Sequence, residues 1–255
     1  MTLLELESLQ ISIAGQPICN HLNLQLRAGQ MLGILGRNGT GKTTLLHTLM
    51  GFHRADQGRI LLDGHLPHTG SRRDMARRIG LLFQESDSTM PATVLETVLL
   101  GRHPHSDNLL WDSAEDLNIA STTLQLVGLD DLAQRQVSSL SGGEKQRLAV
   151  ALLMVQSPSV YLLDEPSNHL DIDYQSRILD LLRRRIASQG AGLIMASHDI
   201  NLAARYCQRA LLLMGDGVIM EGPAEEVLIQ PNLEQAFRCP IAVVESEGRR
   251  YFLPR

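Results

Sequence analysis

The sequence is poor in the features that mark three broad classes of protein. Aromatic residues make up 4% of the 255 residues and the formal net charge is −5, which argues against a base-stacking surface or a basic nucleic-acid-binding face. The three cysteines, Cys19, Cys207 and Cys239, lie far apart without disulfide or metal-site spacing, so a reducing compartment is expected. No apolar run approaches the roughly 18 residues of a transmembrane helix. The first residues, MTLLELESLQ, lack the basic segment of a signal peptide. We therefore expect a globular chain that does not span a membrane and does not bind nucleic acid.

Buried strands alternate with helices along much of the chain. The apolar runs QMLGILG, RIGLLFQ, SVYLLDEP, GLIMASHD and RALLLMGDG are typical of strands covered on both faces. Helical patterns cover residues 42–50, 173–188 and 200–206. This alternation predicts an α/β core.

Three further segments differ from that core. The partly alternating runs LLELESLQISIAG and HLNLQLRAGQ predict half-buried strands near the N-terminus. Residues 85–139 are largely helical in pattern and predict an inserted helical subdomain, which leaves 1–84 and 140–255 for the core. Residues 241–255 predict a small hairpin around Glu247 and Gly248.

A glycine-rich loop follows the first buried strand. Residues 36–43, GRNGTGKT, fit the P-loop pattern, in which backbone N–H groups surround phosphate oxygens. Its lysine reaches the β- and γ-phosphates, and its last hydroxyl binds Mg²⁺. The predicted phosphate-binding residues are Gly36, Arg37, Asn38, Gly39, Thr40, Gly41, Lys42, Thr43 and Thr44. The alternative is a glycine-rich turn that only caps a helix.

An acidic pair ends the strand VYLLDEP. Asp164 at the strand end is predicted to serve Mg²⁺ together with Thr43. Glu165 follows it, points in another direction and is predicted to polarise a water as general base. The alternative is a carboxylate pair that only caps the strand.

A second helix opens on SSLSGGEKQR, with two adjacent glycines where one serine would suffice as a cap. Glycine in a helix costs roughly 1 kcal/mol relative to alanine, so something is expected to approach bare backbone there. The N–H groups of a first turn favour an anion. The residues concerned are Ser141, Gly142 and Gly143, and the alternative is an ordinary N-cap.

GRNGTGKT, LSGGE, VYLLDEP, NHLD and ASHD occur in the order and context that resemble the nucleotide-binding subunit of an ABC transporter. The resemblance implies a P-loop NTPase (RecA-like) core with an N-terminal antiparallel β subdomain and an inserted α-helical subdomain. It also implies a homodimer whose two subunits lie head to tail and bind ATP and Mg²⁺. Each ATP would lie on one P-loop and be covered by Ser141, Gly142 and Gly143 of the other chain.

Other positions carry roles by the same resemblance. Gln84 matches the glutamine that touches Mg²⁺ or the attacking water, and Asp171 matches an aspartate that contacts the partner's P-loop. His198 matches the histidine that hydrogen-bonds the γ-phosphate, although a lone histidine is often only a satisfied polar residue. Ile13 stands where the family usually stacks an aromatic ring on adenine. Because an aliphatic chain gives no π-stacking, nucleotide affinity and the preference for ATP over GTP stay open.

The stretch PATVLETVLLGRHPH is similar to the iron-chelate and cobalamin uptake branch of this family. The matching positions are Thr93, Val94, Val98, Gly101, Arg102, Pro104 and His105. This implies uptake of an iron chelate, haem or cobalamin with two multi-helix permeases and a periplasmic or surface binding protein. The subunit would lie peripherally on the cytoplasmic face of the inner (plasma) membrane. A permease helix would enter the groove between Gln84 and the helical subdomain. His103 and His105 alone do not make a metal site.

Alternatives to import remain at this point. An exporter ATPase is one, and a soluble ABC protein acting on ribosomes or DNA is another. The latter usually has two fused nucleotide domains or a long coiled-coil insertion, and this chain has neither. A regulatory subunit that does not hydrolyse ATP is disfavoured because Lys42, Glu165 and His198 are all present.

Overall fold

The computed structural model describes five stretches of the chain: residues 1–66, 71–83, 91–106, 112–166 and 171–255. Its strands are β1 (Thr2–Ile13), β2 (Gln16–Arg27), β3 (Met31–Leu35), β4 (Gln57–Leu62), β5 (Ile79–Leu82), β6 (Val160–Asp164), β7 (Gly192–Ser197), β8 (Arg209–Gly215), β9 (Val218–Pro223), β10 (Ile241–Ser246) and β11 (Arg249–Pro254). Its helices are α1 (Lys42–Leu49), α2 (Arg72–Arg78), α3 (Val94–Leu99), α4 (Ala114–Leu126), α5 (Gly142–Gln156), α6 (Ile172–Gln189), α7 (Ile200–Tyr206), α8 (Ala224–Val227) and α9 (Gln230–Phe237). Short 3₁₀ turns lie at Leu100–Arg102, Asp130–Leu132 and Val137–Ser139.

A sheet with the strand order β5-β6-β7-β3-β8-β9 forms the centre of the described part. Its strands are parallel except for β9, which pairs antiparallel with β8. Every residue of β3, β6 and β7 is buried, as expected for strands covered on both faces. Because parallel strands share a carboxyl edge, the ends of β3, β6 and β7 meet at one place, where ligands usually bind in such sheets.

An antiparallel sheet, in the order β2-β1-β4, covers one side of this core. Its apolar residues belong to the same buried cluster as Leu32 of β3 and Leu162 of β6. The two layers approach closely at Gly192, where a Cβ would lie 2.7 Å from Leu26 Cδ2. The α/β fold class and the N-terminal antiparallel β subdomain predicted from the sequence are therefore confirmed.

Helices α3, α4 and α5 form a layer on the other side. Val98, Leu124 and Leu153 from these helices share one buried cluster with Leu82 of β5 and Leu163 of β6. The helical layer thus has no core of its own and packs as part of the central sheet. Helix α5 begins after the predicted limit of the inserted subdomain at 139 and packs against both α3 and α4.

Four residues tie the layer to α2, and we call Arg77, Pro104, His105 and Gln156 the α2–α5 bracket. Arg77 Nε donates to the Pro104 carbonyl at 2.6 Å, and His105 Nε2 donates to the Gln156 carbonyl at 2.7 Å. Gln156 Nε2 donates in turn to the Ala76 carbonyl of α2 at 2.7 Å. The carboxyl-terminal end of α5 is therefore fixed to the edge of the central sheet.

The neighbouring residues of the same sequence motif are also structural. Arg102 Nε donates to Asp116 Oδ1 at 2.6 Å, and its Nη1 donates to the Val155 carbonyl at 3.2 Å. A Cβ on Gly101 would lie 2.6 Å from the Leu152 carbonyl oxygen, so α5 can pack this closely only against glycine. The GRHPH stretch therefore joins α3, α4 and α5.

The chain ends in a hairpin of β10 and β11 beside α7. Glu247 and Gly248 form its turn with φ of 52° and 72°, the left-handed conformations that a two-residue hairpin turn needs. The side chain of Asn201 in α7 donates to the Phe252 carbonyl at 3.0 Å and accepts from the Phe252 amide at 2.8 Å. The side-chain amide of Asn201 thus pairs with the backbone of β11 as a neighbouring strand would.

Across the described residues, no helix combines the length and the apolar character that spanning a bilayer requires.

Candidate functional site

The loop between β3 and α1 is shaped by two close backbone approaches. A Cβ on Gly36 would lie 2.7 Å from the Leu213 carbonyl oxygen, so the loop passes directly over β8. Gly41 has a φ of 99°, and a Cβ there would lie 2.5 Å from Ile18 Cγ2. Both positions thus require glycine. Helix α1 begins without a side-chain cap or an acidic residue in its first turn, which leaves its first N–H groups available to an anion.

Lys42 turns its ammonium group back into this loop. Its Nζ donates to the Gly36 carbonyl at 2.9 Å and lies 3.8 Å from Glu165 Oε1. The side chain is 7% exposed, and burial lowers the pKa of Lys42, while the nearby charges of Glu165 and Asp164 oppose that shift. Its Nζ also donates to the Arg37 carbonyl at 3.4 Å, so an ammonium held by two carbonyls and a distant carboxylate still has capacity for an anionic partner.

Asp164 ends β6 beneath the loop. It is 1% exposed, and its Oδ1 has no hydrogen-bond partner among the described residues. Burial raises the pKa of Asp164, while a hydrogen bond with the Thr43 side chain opposes that shift. A buried carboxylate oxygen without a partner is costly, and Mg²⁺ prefers carboxylate and hydroxyl oxygens as ligands. Asp164 and Thr43 therefore fit a magnesium ion.

Glu165 is held by groups from two segments, the end of β7 with His198 after it and the start of α1. It adopts a φ of 47°, and its amide donates to the Ala196 carbonyl of β7 at 2.9 Å. Its Oε2 accepts from His198 Nδ1 at 2.9 Å and lies 3.5 Å from Ser197 Oγ, while its Oε1 faces Lys42. The left-handed backbone turns Glu165 away from Asp164, and the His198 ring is itself 59% exposed at the mouth of the site.

The N-terminus of α5 is capped by its own residues. Ser141 Oγ accepts from the Glu144 amide at 3.3 Å, and Glu144 Oε2 accepts from the Ser141 amide at 2.7 Å, which makes a capping box. The box occupies those two amides and leaves those of Gly142 and Gly143 as the donors of the first turn. Ser141 and Gly142 are exposed, so a second molecule can reach them.

The remaining sequence-predicted residues lie at the edge of this arrangement. Asp171 is exposed as the residue before α6, and Ile13 is 40% exposed at the end of β1. Arg37, Asn38 and Gly39 form the exposed tip of the loop, with Thr40 and Thr44 half-buried behind it. Gln84 lies outside the described residues.

The fold thus brings part of the predicted set together. Lys42, Glu165 and His198 form one chain of contacts, with Asp164 and Thr43 beside them. Among the contacts that the structure describes, none joins Ser141 to this cluster. The predicted phosphate-binding residues therefore fall into two groups on one chain.

Some residues at the site were not predicted from the sequence. Ser197 Oγ accepts from the Asp199 amide at 3.0 Å and faces Glu165, and its only sequence signal is a small polar residue next to His198. Gln146 Nε2 of α5 donates to the Pro166 carbonyl at 3.4 Å, which links α5 to the residue after Glu165. These bonds join distant segments and leave no periodic pattern in the sequence.

An aromatic cluster beside α1 was also missed, and we call His47, Phe52 and Phe83 the aromatic patch. The rings of Phe52 and Phe83 stack with centroids 6.2 Å apart, and His47 meets both at 5.7 and 6.0 Å. Phe52 is 54% and Phe83 45% exposed, which is unusual for two packed phenylalanine rings. Phe83 directly precedes Gln84.

Comparison with known sequences finds a family match over residues 19–168, to the ABC transporter family. The chain is 34% identical over 235 residues to the petrobactin import ATP-binding protein of Bacillus anthracis, which covers 92% of this chain and 86% of that protein. It is 34% identical over 244 residues to the iron(3+)-hydroxamate import ATP-binding protein of Bacillus subtilis, which covers 96% of this chain and 91% of that protein.

Solved structures give similar results. An inward-facing metal-chelate type ABC transporter matches with a TM-score of 0.85 and 29% identity, over 100% of this chain and 98% of that one. A dimeric ATP-binding cassette in a post-hydrolysis state, bound to ADP and phosphate, matches with a TM-score of 0.75 and 25% identity. That match covers 87% of this chain and 98% of the cassette.

Proposed function

The chain belongs to the ABC transporter family, and on that premise we propose that it hydrolyses ATP in a head-to-tail homodimer that drives uptake of an iron chelate, haem or cobalamin. Relatives named for the import of petrobactin, ferric hydroxamates and cobalamin support import over export. The observation that carries the proposal is the cluster in which the buried Glu165 accepts from His198 and faces Lys42, beside an oxygen of Asp164 that has no partner among the described residues.

Each residue of the cluster has a role in this proposal. Lys42 leaves the Gly36 carbonyl for the β- and γ-phosphates. Glu165 accepts the proton of the attacking water as general base, and His198 moves from Glu165 to the γ-phosphate. Thr43 and Asp164 would hold Mg²⁺, which neutralises phosphate charge when it is bound.

The second group of phosphate-binding residues supports the dimer. Gly142 is exposed and Gly143 half-buried, and in the described contacts no nucleotide-binding cluster of their own chain lies beside their amides. In the proposal they bind the γ-phosphate held by the partner's P-loop, and Asp171 contacts that same loop. A cassette of the same fold that is dimeric with ADP and phosphate supports a dimer for this chain.

The aromatic patch supports a permease partner. We propose that it receives an apolar cytoplasmic helix of a multi-helix permease, present in two copies and supplied by a periplasmic or surface binding protein. Two stacked and exposed phenylalanines next to the predicted Gln84 groove give that helix an apolar surface. The subunit would then lie peripherally on the cytoplasmic face of the inner (plasma) membrane.

The replacement Glu165→Gln tests the catalytic assignment. We expect phosphate release to fall by roughly 10²- to 10⁴-fold because the base is lost. ATP binding should persist and trap a dimer on size-exclusion chromatography. The matched control Glu245→Gln changes an exposed carboxylate on β10 and should leave both readouts unchanged. Wild-type turnover by Glu165→Gln, or a monomer at saturating ATP, would contradict the proposal.

The replacement Phe52→Ser tests the permease surface. We expect siderophore uptake by cells carrying this variant, and its recovery with membranes, to fall at least about tenfold because an apolar anchor is lost. Phosphate release by the free subunit should not change. Leu126→Ser is the control, since Leu126 is 53% exposed on α4. Equal losses in both variants would indicate a general effect on the fold and not a docking site.

A further inference from the structure

A second cavity lies away from the P-loop, between α6, α7, the start of α8 and β11. Its volume is about 700 Å³, within the range of small-molecule sites. Four arginines line it: Arg183, Arg205, Arg249 and Arg250. They come from segments that are far apart in the sequence, so the fold itself gathers these four positive charges.

The acidic residues of the cavity are already engaged or exposed. Asp180 Oδ1 is paired with Arg183 at 3.1 Å. Asp199 Oδ1 accepts the Asn201 and Leu202 amides at 2.8 and 3.0 Å as the N-cap of α7. Glu225 is exposed to solvent at the start of α8. Asp180 is therefore committed to Arg183, and neither Asp199 nor Glu225 forms an ion pair with the other three arginines in the described part of the chain.

Three of the four arginines contact uncharged groups. The guanidinium carbons of Arg205 and Arg183 lie 5.1 and 5.8 Å from the centre of the Tyr206 ring. Arg250 Nη2 donates to the Glu225 carbonyl at 3.1 Å. Within the described part of the chain, Arg205, Arg249 and Arg250 have no carboxylate within salt-bridge distance. Positive charges that lie close together without a directly paired carboxylate repel one another, and an anion bound between them would lower that repulsion.

We propose that this cavity binds a small organic anion with two or more negative charges, either a polycarboxylate or a polyphosphate. Guanidinium groups bind both through paired hydrogen bonds, and their planar forks suit either geometry. The concave shape favours a small molecule over an extended acidic peptide. This inference does not depend on the proposed transport function.

The site also adjoins a link to the nucleotide cluster. Asn201, in the cavity wall, holds the Phe252 backbone of β11 through two hydrogen bonds. Asn201 lies three residues after His198. An anion bound between Arg205 of α7 and Arg249 of β11 would add a second link between α7 and the last hairpin.

Citrate and pyrophosphate, added separately to the isotope-labelled full chain at constant ionic strength, test the proposal. We expect saturable shifts in the backbone amide signals of Arg205 and residues 249–252. The double variant Arg249→Glu/Arg250→Glu should weaken binding at least tenfold, and Arg205→Gln, which leaves the hairpin intact, at least threefold. Arg59→Glu, on exposed β4, should not weaken it. Tighter citrate binding would identify a polycarboxylate site, and tighter pyrophosphate binding a polyphosphate site.

Three results would overturn the proposal. Neither probe shifts these signals, or the shifts are confined to residues 36–43, or Arg59→Glu weakens binding as much as the cavity variants do. Pyrophosphate shifts at the P-loop alone would support the nucleotide site and reject this one, which separates the two assignments.

Discussion

The N-termini of α1 and α5 are both predicted to bind phosphate, yet they are built differently. Helix α1 starts at a left-handed Gly41 with no side-chain cap and no acidic first turn. Helix α5 starts at Ser141, whose capping box with Glu144 satisfies two backbone amides. Among the described residues no side chain caps the first amides of α1, which leaves them to an anion, whereas the capping box satisfies two amides of α5 without a ligand. This difference teaches that α1 depends on its ligand, while α5 can remain exposed until a second molecule arrives.

A mixture of two inactive variants is the most direct test of whether the N-termini of α1 and α5 act together across a dimer. Lys42→Ala disables the α1 terminus, and Gly142→Asp places a carboxylate where phosphate would approach α5 while still suiting a helix N-terminus. Each variant alone should lose at least about 100-fold in phosphate release. In an equal mixture half of the dimers are mixed and each has one intact site, so activity should return to about a quarter of wild type.

The control is a mixture of Lys42→Ala with Glu165→Gln. Both changes fall on the same side of the proposed interface, so no intact site can form and activity should stay low. Recovery in the control, or none in the test mixture, would rule out the head-to-tail arrangement.

Alanine replacements at Gly41 and Gly142 should change the free energy of unfolding differently at the two helix N-termini. Gly41→Ala places a Cβ 2.5 Å from Ile18 Cγ2 at a φ of 99° and should lower the free energy of unfolding by at least about 2 kcal/mol. Gly142→Ala should leave stability unchanged or raise it by up to about 1 kcal/mol. It should nevertheless weaken ATP-dependent dimerisation. Urea unfolding and sedimentation measure the two effects, and equal destabilisation would remove the distinction.

Ile13→Tyr should change nucleotide binding only at the group of residues around α1. An aromatic ring at this 40% exposed position would stack on adenine and should tighten ATP binding about two- to tenfold. Ile13→Leu is the control and should change nothing. Because the adenine ring does not reach α5 in the proposal, Gly142→Ala should weaken dimerisation equally in wild type and in Ile13→Tyr. Unchanged ATP affinity in Ile13→Tyr would mean that the adenine ring does not lie against residue 13.

Acid should weaken the carboxylate cap of α5, which α1 lacks, and this is the smallest expected effect. The Ser141 amide bond holds the pKa of Glu144 below its ordinary value of about 4.3. A carboxyl whose pKa is lower in the folded state stabilises the fold fully above about pH 4.3, and this contribution is lost as the pH falls through the folded pKa. The advantage of wild type over Glu144→Gln in urea midpoint should therefore be constant above about pH 4.3 and decrease as the pH falls below it. Glu245→Gln should show no such change.

The sequence predicted the elements whose chemistry is local. Strands β6 and β7 are apolar up to their last residues, Asp164 and Ser197, because both faces are covered, and the glycine spacing of the P-loop indicates its conformation. Helix α2 was missed because none of its residues is buried, so no apolar period exists. Strand β9 was missed because it is a partly exposed edge strand ending in Gly222 and Pro223.

The site follows the same division. Lys42 and Asp164 could be assigned from their motifs. The hydrogen bond between Glu165 and His198 joins residues 33 apart and depends on β6 lying beside β7. The pairing of Asn201 with Phe252 spans 51 residues and depends on the last hairpin folding over α7. Such contacts arise from topology, which single-residue patterns do not contain.

The α2–α5 bracket has a mechanical consequence. It fixes the Gln156 end of a helix of 15 residues, so the opposite end lies about 22 Å away at 1.5 Å per residue. A rotation of about 10° around the fixed end would carry Ser141 through about 4 Å, more than a hydrogen-bond length, while leaving the bracket almost still. The helix is thus a lever whose long arm ends at the residues that meet the partner, and small tilts imposed on the layer become large displacements there.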